Sequence, residues 1–346
     1  MRLTKLVVGV VSLMAALVAS QAMAETHKLK VATFITQKHG MSKWIDNWAK
    51  GLEEKSGGQL KFEILHGAQM GPPPKYYDLA RNGQADIVWH LHGATPGRFE
   101  LVEISHLPFL FCSAEQATMV LNNSVLREKY LDAEHKGTKV LALFMHPPGQ
   151  INMNGDAIKT VADLKGKAIR PASRAVGAFI GALGGKPVGL PPTAMAEALQ
   201  KGTIDGTFTD YGGAGLAFQL GPHLKNITEM YAYTVSFTLA MNPATFDGLP
   251  ADLQAMIEES FAGKSAEIGQ VWDELGVIGK GVLKKAGVKI NMLDDGELDK
   301  FRAIGEKVSA EYIATVDKKG KPASEVLAMM KDLIKEVGPV GPGCQQ

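Results

Sequence analysis

Three stretches of this chain carry residue types that do chemistry in other proteins, and their spacing decides what each can do. Gly181-Ala182-Leu183-Gly184-Gly185-Lys186-Pro187 has the outline of a phosphate-cradling loop, but Ile180 stands where the first Gly is needed and Pro187 where the hydroxyl belongs. It reads as a turn. His90 and His92 stand two apart, with His39, His66, His106 and His146 scattered elsewhere. Imidazoles suit zinc, yet neither a His-Glu-x-x-His run nor paired Cys ligands accompany them, so no metal site is expected. Cys112 and Cys344 are the two thiols, neither in a nucleophile's context, and no Gly-x-Ser-x-Gly elbow is present. Catalysis is therefore not expected, and no cofactor is called for.

The elements that would have to position a binding site are legible as periodicity. Residues 28–34 read as a strand, followed by a helix whose Met41, Trp44, Trp48 and Leu52 recur at helical spacing and which Gly57-Gly58 stops. The alternating Leu60, Phe62 and Ile64 predict a second strand. This strand, helix, strand order belongs to an α/β sheet, with both Trp in its core. Leu79-Ala80-Arg81-Asn82-Gly83-Gln84-Ala85-Asp86-Ile87 and Leu199-Gln200-Lys201-Gly202-Thr203-Ile204-Asp205 then repeat one pattern: a helix end, a Gly stop, and an Asp opening a short strand. They follow comparable helices over 74–82 and 192–201. Two lobes of matching local architecture are implied, each sending a strand's exit toward a shared space, and in open α/β sheets ligands bind at such exits. Over 250–285 the spacing of Leu253, Ile257, Phe261, Ile268, Val271, Leu275 and Ile278 predicts one long helix. At about 1.5 Å per residue it could brace the whole molecule.

Arg2 and Lys5, the apolar run 6–18 and the small residues of Ala22-Met23-Ala24 form an export signal, with cleavage expected after residue 24. No Cys closes the apolar run to take a lipid, and no later stretch approaches the roughly 20 apolar residues of a membrane span. The expected location is the periplasm. The remaining 322 of 346 residues exceed what one core usually organises, so two lobes are the default. Loss of Arg2 and Lys5 takes the 37 basic residues to 35 against 36 acidic ones, which offers no partner surface to nucleic acid. Cys112 and Cys344 both lie in the exported part, where a pair can oxidise. Either a disulfide ties the C-terminus to the first lobe, or Cys112 is a free thiol buried in the apolar Phe109-Leu110-Phe111 run.

Residues 162–174, Ala-Asp-Leu-Lys-Gly-Lys-Ala-Ile-Arg-Pro-Ala-Ser-Arg, resemble the Asp-Leu-Lys-Gly-x-Lys-Ile-Arg-x-Pro segment of the solute-binding proteins of tripartite ATP-independent periplasmic (TRAP) transporters, the dicarboxylate-binding-subunit family. Ser56-Gly57-Gly58-Gln59-Leu60, the 83–86 turn, Thr95-Pro96-Gly97-Arg98-Phe99, Leu107-Pro108-Phe109, the 198–206 stretch and Met241-Asn242 ahead of Leu249-Pro250-Ala251-Asp252-Leu253-Gln254 follow in the family's order. The resemblance implies a cleft that closes on a small carboxylate, and a loaded protein that hands it to an ion-gradient-driven permease of one small and one large membrane subunit. It assigns the principal ligand contact to Arg170, whose planar guanidinium can hold a carboxylate through two parallel hydrogen bonds. Gln150 stands where sialic-acid-binding members carry a second Arg, and Thr209 where they carry an Asn, so a strongly anionic ligand is not expected. Gln150, Asn152, Thr209, Asp210 and Tyr211 could offer further hydrogen bonds, Trp89 an apolar wall, and His39 completes the candidate set. The Pro comes directly after Arg170 rather than one residue later.

The expected architecture is a two-lobed α/β fold of the periplasmic binding protein kind, with the ligand cleft between lobes and a long bracing helix. Residues 25–147 and 235–275 form the first lobe, and 148–234 and 276–346 the second. The molecule is expected to work as a monomeric receptor for an organic acid. Two rival readings are the receptor of an ATP-driven importer, which lacks the Ile-Arg segment, and an exported α/β enzyme.

Overall fold

The computed structural model describes residues 25–345; the expected signal, 1–24, lies outside the described residues. The chain lays down β1 (His27–Ala32), β2 (Leu60–Leu65), β3 (Ile87–Leu91) and β4 (Lys139–Met145), then β5 (Gln150–Met153), β6 (Ala168–Arg170), β7 (Lys186–Pro187), β8 (Gly206–Thr209) and β9 (Asn226–Glu229), and finally β10 (Ser236–Met241) and β11 (Lys289–Met292). They form two sheets, ordered β2-β1-β3-β10-β4 and β11-β9-β5-β8-β6-β7. In the first, β1 runs parallel to β2 and β3 while β10 is antiparallel to β3 and β4. In the second, β6 is parallel to β8 and β7, and β5 is antiparallel to β8 and β9. β3 and β10 are buried along their whole length, as strands covered on both faces should be.

The longer helices are α1 (Gly40–Lys55), α2 (Tyr76–Arg81), α3 (Ala114–Leu121), α4 (Arg174–Ala182), α5 (Met195–Gln200), α6 (Ala251–Glu259), α7 (Ser265–Lys285), α8 (Asp295–Asp317) and α9 (Ala323–Val337). None among the described residues is long and apolar enough to cross a membrane. The repeated Gly-x-x-Asp pattern has the same geometry in both halves. Gly83 (φ 67°) ends the turn after α2 and Gly202 (φ 68°) the turn after α5. Asp86 Oδ2 then accepts from Lys30 N–H in β1 at 2.7 Å, and Asp205 Oδ2 from Ala168 N–H in β6, also at 2.7 Å. In each half the carboxylate stitches a new strand to its parallel neighbour.

Residues 146–149 and 230–235 carry the chain between the sheets and pair with each other. Gly149 N–H donates to Tyr233 O at 2.6 Å, and Ala232 N–H returns to Gly149 O at 3.1 Å. A Cβ on Gly149 would stand 2.3 Å from the Tyr233 ring, so only glycine lets the two crossings approach this closely. The third crossing is helical, and here the single helix expected over 250–285 is corrected: it is two, α6 and α7. Gly263 sits at φ 70° between them, a left-handed conformation that no helix continues through. α7 then turns Trp272 inward and leaves Ile278, expected on the buried face, 54% exposed.

The C-terminus follows the first half rather than the second. Val326, Met330 and Leu333 of α9 share a core with Ala117, Val120 and Leu121 of α3. Beyond α9, Ser113 Oγ donates to Val340 O at 2.6 Å, and Cys112 and Cys344 are joined in a disulfide with Cα atoms 4.8 Å apart. The tail was expected with the second lobe; the apolar face of α9 finds its partner on α3 instead.

Candidate functional site

The carboxyl ends of parallel strands from both sheets converge on one cavity. Phe34 and Ile35 follow β1, Trp89 lies within β3 and Leu91 ends it, Arg170 ends β6, and Thr209 ends β8 with Asp210 directly after it. Strand exits are where ligands of open α/β sheets bind, because the backbone fans apart there. Phe237 of β10 and Trp272 of α7 close the sides. About 450 Å³ of space not filled by atoms, open solvent included, lies between these residues.

Arg170 is 5% exposed. Its one protein hydrogen bond is a long one, from Nε to Leu190 O at 3.4 Å, and no carboxylate among the described residues pairs with it. Burial pushes its pKa down to about 10, and the nearby Tyr233 opposes that. The group still carries its charge at neutral pH. Among the described residues no other acceptor meets its remaining N–H donors.

The apolar wall is aromatic. Phe237 and Trp272 stack with centroids 5.0 Å apart and planes 13° from parallel, and Trp89 meets Trp272 edge-on at 6.0 Å. Ring faces and edges of this kind can pack against a flat apolar body, since ring pairs favour offset or edge contacts. Polar groups interrupt the wall, His39 and Asp210 among them. His39 caps the start of α1, its Nδ1 accepting Met41 N–H at 3.3 Å, and burial lowers its pKa to about 4. Asp210, 3% exposed, accepts Gly213 N–H through Oδ2 at 2.9 Å.

Of the residues singled out in the sequence, Arg170, Trp89, Thr209, Asp210 and His39 line this cavity, while Gln150, Asn152 and Tyr211 do not. The three have other work. Gln150 Oε1 accepts the N–H groups of Met230 and Tyr231 at 2.7 and 3.0 Å, holding the second inter-sheet crossing. Asn152 Nδ2 donates to Gln150 O, Thr207 O and Thr209 O, tying β5 to β8. Tyr211 OH donates to Glu229 Oε1 at 2.8 Å on the far side of β8. His90 and His92 are likewise absent from the cavity lining. They are buried with His106 and His135, where His92 bonds Ser236 Oγ at 2.8 Å and His135 Nε2 at 2.9 Å. Sequence reasoning missed His146, Phe237 and Trp272 as cavity residues. Trp272 had a local signal, since an inward turn of the 250–285 pattern by one residue would have selected it.

The family described as bacterial extracellular solute-binding protein, family 7, matches residues 31–315. A solute-binding protein of Verminephrobacter eiseniae is 28% identical over 300 residues, 85% of this chain and 87% of its own length. A marine metagenome TRAP solute-binding protein from an unidentified microbe, specific for aromatic acid ligands and solved with 3-hydroxybenzoate, is 32% identical. It superposes with a TM-score of 0.85 over 90% of this chain and 99% of that one. A TRAP solute-binding protein of Rhodoferax ferrireducens T118, solved with copurified benzoate, is 30% identical with a TM-score of 0.85, over 90% and 98% of the two chains.

Proposed function

The chain belongs to bacterial extracellular solute-binding protein family 7, the receptors of TRAP transporters, and from that premise we propose that it captures an aromatic monocarboxylate between its two lobes. The observation that carries this reading is Arg170, a buried cation without a carboxylate partner among the described residues, set in a cavity walled by Trp89, Phe237 and Trp272. An isolated buried charge is costly, and an anion that pairs with it removes that cost. Carboxylate is the anion whose two oxygens match the guanidinium fork. A single cation, with Gln150 in place of a second Arg and occupied by backbone N–H groups, suits one carboxylate rather than two. The aromatic wall suits a ring attached to that carboxylate. The 3-hydroxybenzoate and benzoate bound by the two similar structures support the same class.

The receptor acts in the periplasm as a monomer after loss of residues 1–24, passes its acid to the small and large membrane subunits of a TRAP permease, and catalyses nothing. Calorimetric titration of the protein beginning at Glu25 with benzoate tests the binding step. A saturable 1:1 isotherm is expected. Flat heats with benzoate and with each of its hydroxy derivatives would reject the reading.

A further inference from the structure

We propose that Asp210 and His39 select for a hydroxyl on the captured acid, which donates to Asp210 Oδ1 and accepts from His39 Nε2; this rests on the carboxylate-capture reading above. The tautomer of His39 follows from its role as a helix cap. Its Nδ1 accepts Met41 N–H, so that nitrogen presents a lone pair, and a neutral ring then carries its proton on Nε2. Nε2 is buried and has no partner among the described residues. A neutral imidazole is what this site holds, since burial disfavours the charged ring more than the charge on Asp210 favours it.

Asp210 presents the complementary half. Its Oδ2 is occupied by Gly213 N–H, and the nearest cation-forming atom to Oδ1, His146 Nδ1, is 3.9 Å away. That nitrogen pairs with Pro147 O at 2.5 Å, so its proton is committed to the carbonyl. Oδ1 therefore has no hydrogen-bond donor among the described residues, though Asp210 is nearly as buried as the core. Both side chains line the cavity that Arg170 enters.

The ligand group that satisfies both is fixed by counting donors and acceptors. A second carboxylate or a keto oxygen would accept from His39 but has no proton for Asp210. An amino group on the ring would donate to Asp210, but its lone pair is delocalised into the ring and accepts poorly from His39. A methyl would leave both polar groups unpaired, and sites with buried polar groups discriminate strongly against analogues that leave them so. A hydroxyl has one proton to give and lone pairs to receive.

The test is calorimetry on the protein beginning at Glu25 with benzoate and the ortho, meta and para isomers of its hydroxy, methyl and amino derivatives. At one ring position the hydroxy acid is expected to bind at least about tenfold tighter than its methyl and amino counterparts, the worth of one charge-assisted hydrogen bond. His39→Asn keeps the helix cap but removes the Nε2 donor. Asp210→Asn keeps an acceptor for Gly213 but loses the charge. Each is expected to bring the hydroxy-to-methyl affinity ratio below about threefold; the ratio is the readout. Binding of benzoate with no hydroxyl preference at any ring position would overturn the proposal and leave carboxylate capture standing. So would a preference for the amino acids, or a ratio unchanged in folded variants. Failure of every carboxylate to bind would remove both.

Discussion

Arg170 couples two costs of opposite sign. Its charge is buried without a counter-ion among the described residues, so it weighs against the unliganded molecule, while the same charge is the main attraction for a carboxylate. Arg170→Met, which keeps much of the volume and drops the charge, should therefore raise the melting temperature of the unliganded protein while destroying binding. Arg170→Ala should weaken benzoate binding by roughly 30-fold to several thousand-fold, the effect of removing one partner of a buried charge pair. Arg170→Lys should recover little, because an ammonium cannot make the two-pronged contact. Melting curves and calorimetry on the three variants check both halves; benzoate affinity near wild type in folded Arg170→Ala would contradict them. At this scale the cavity-lining positions of Arg170, Asp210 and Thr209 were legible because they sit at strand ends. Gln150 and Asn152, singled out with them, do not line the cavity. Both stand on β5 among candidate ligand residues, yet backbone N–H and C=O groups of β8 and of the 230–235 crossing claim their side chains first. No residue type announces which backbone groups will be left for it to satisfy.

The element on which both halves lean is α7, and its glycines show how. A Cβ on Gly269 would stand 2.4 Å from the Cα of Glu115 in α3, and one on Gly279 would stand 2.2 Å from the carbonyl oxygen of Tyr211 beyond β8. One helix thus lies backbone to backbone against the first half near its start and the second half near its middle. Gly281 has nothing within 4 Å of that position. Alanine is better than glycine in an exposed helix by about 1 kcal/mol, so Gly281→Ala should stabilise by about that much. At Gly279 the clash is with backbone that cannot swing aside, and overpacking of this kind costs about 1–3 kcal/mol, which outweighs the propensity gain. Gly279→Ala should lower the melting temperature while Gly281→Ala raises it, and thermal denaturation of the pair decides the matter. The Gly-x-x-Asp echo was legible because a left-handed glycine and a carboxylate aimed at backbone N–H are local events. The break between α6 and α7 was not, because Phe261 keeps helical spacing with Ile257 and the hydrophobic period runs on through Gly263.

The molecule as a whole stores an acid lability. Burial lowers the pKa of His90 and His106 to about 3 and of His135 and His39 to about 4, and holds His92 well below its usual value. In the unfolded chain these rings take up protons below about pH 6.5. The unfolded state then binds more protons than the folded one, so stability falls with pH from about 6.5 toward 4. Glu103, raised by burial to about 7, and Asp273, raised by burial to about 6, act in the opposite sense, losing stability as pH rises through that window. Five groups outweigh two. Urea midpoints measured from pH 7 down to pH 4 should fall steeply, and a flat profile would mean the histidine cluster is protonated in the folded protein. The two-lobed plan was legible from chain length and the echo. The side taken by the last helix was not, because only a partner surface distant in sequence, α3, decides it. The bridge that fastens this tail has a consequence for biogenesis. In a chain exported as proposed, Cys112 must stay reduced until Cys344, 232 positions on, has followed it across the membrane. With two cysteines in the whole chain there is one intramolecular pairing to make and no wrong one to undo. Maturation should depend on a thiol oxidase and be indifferent to a disulfide isomerase.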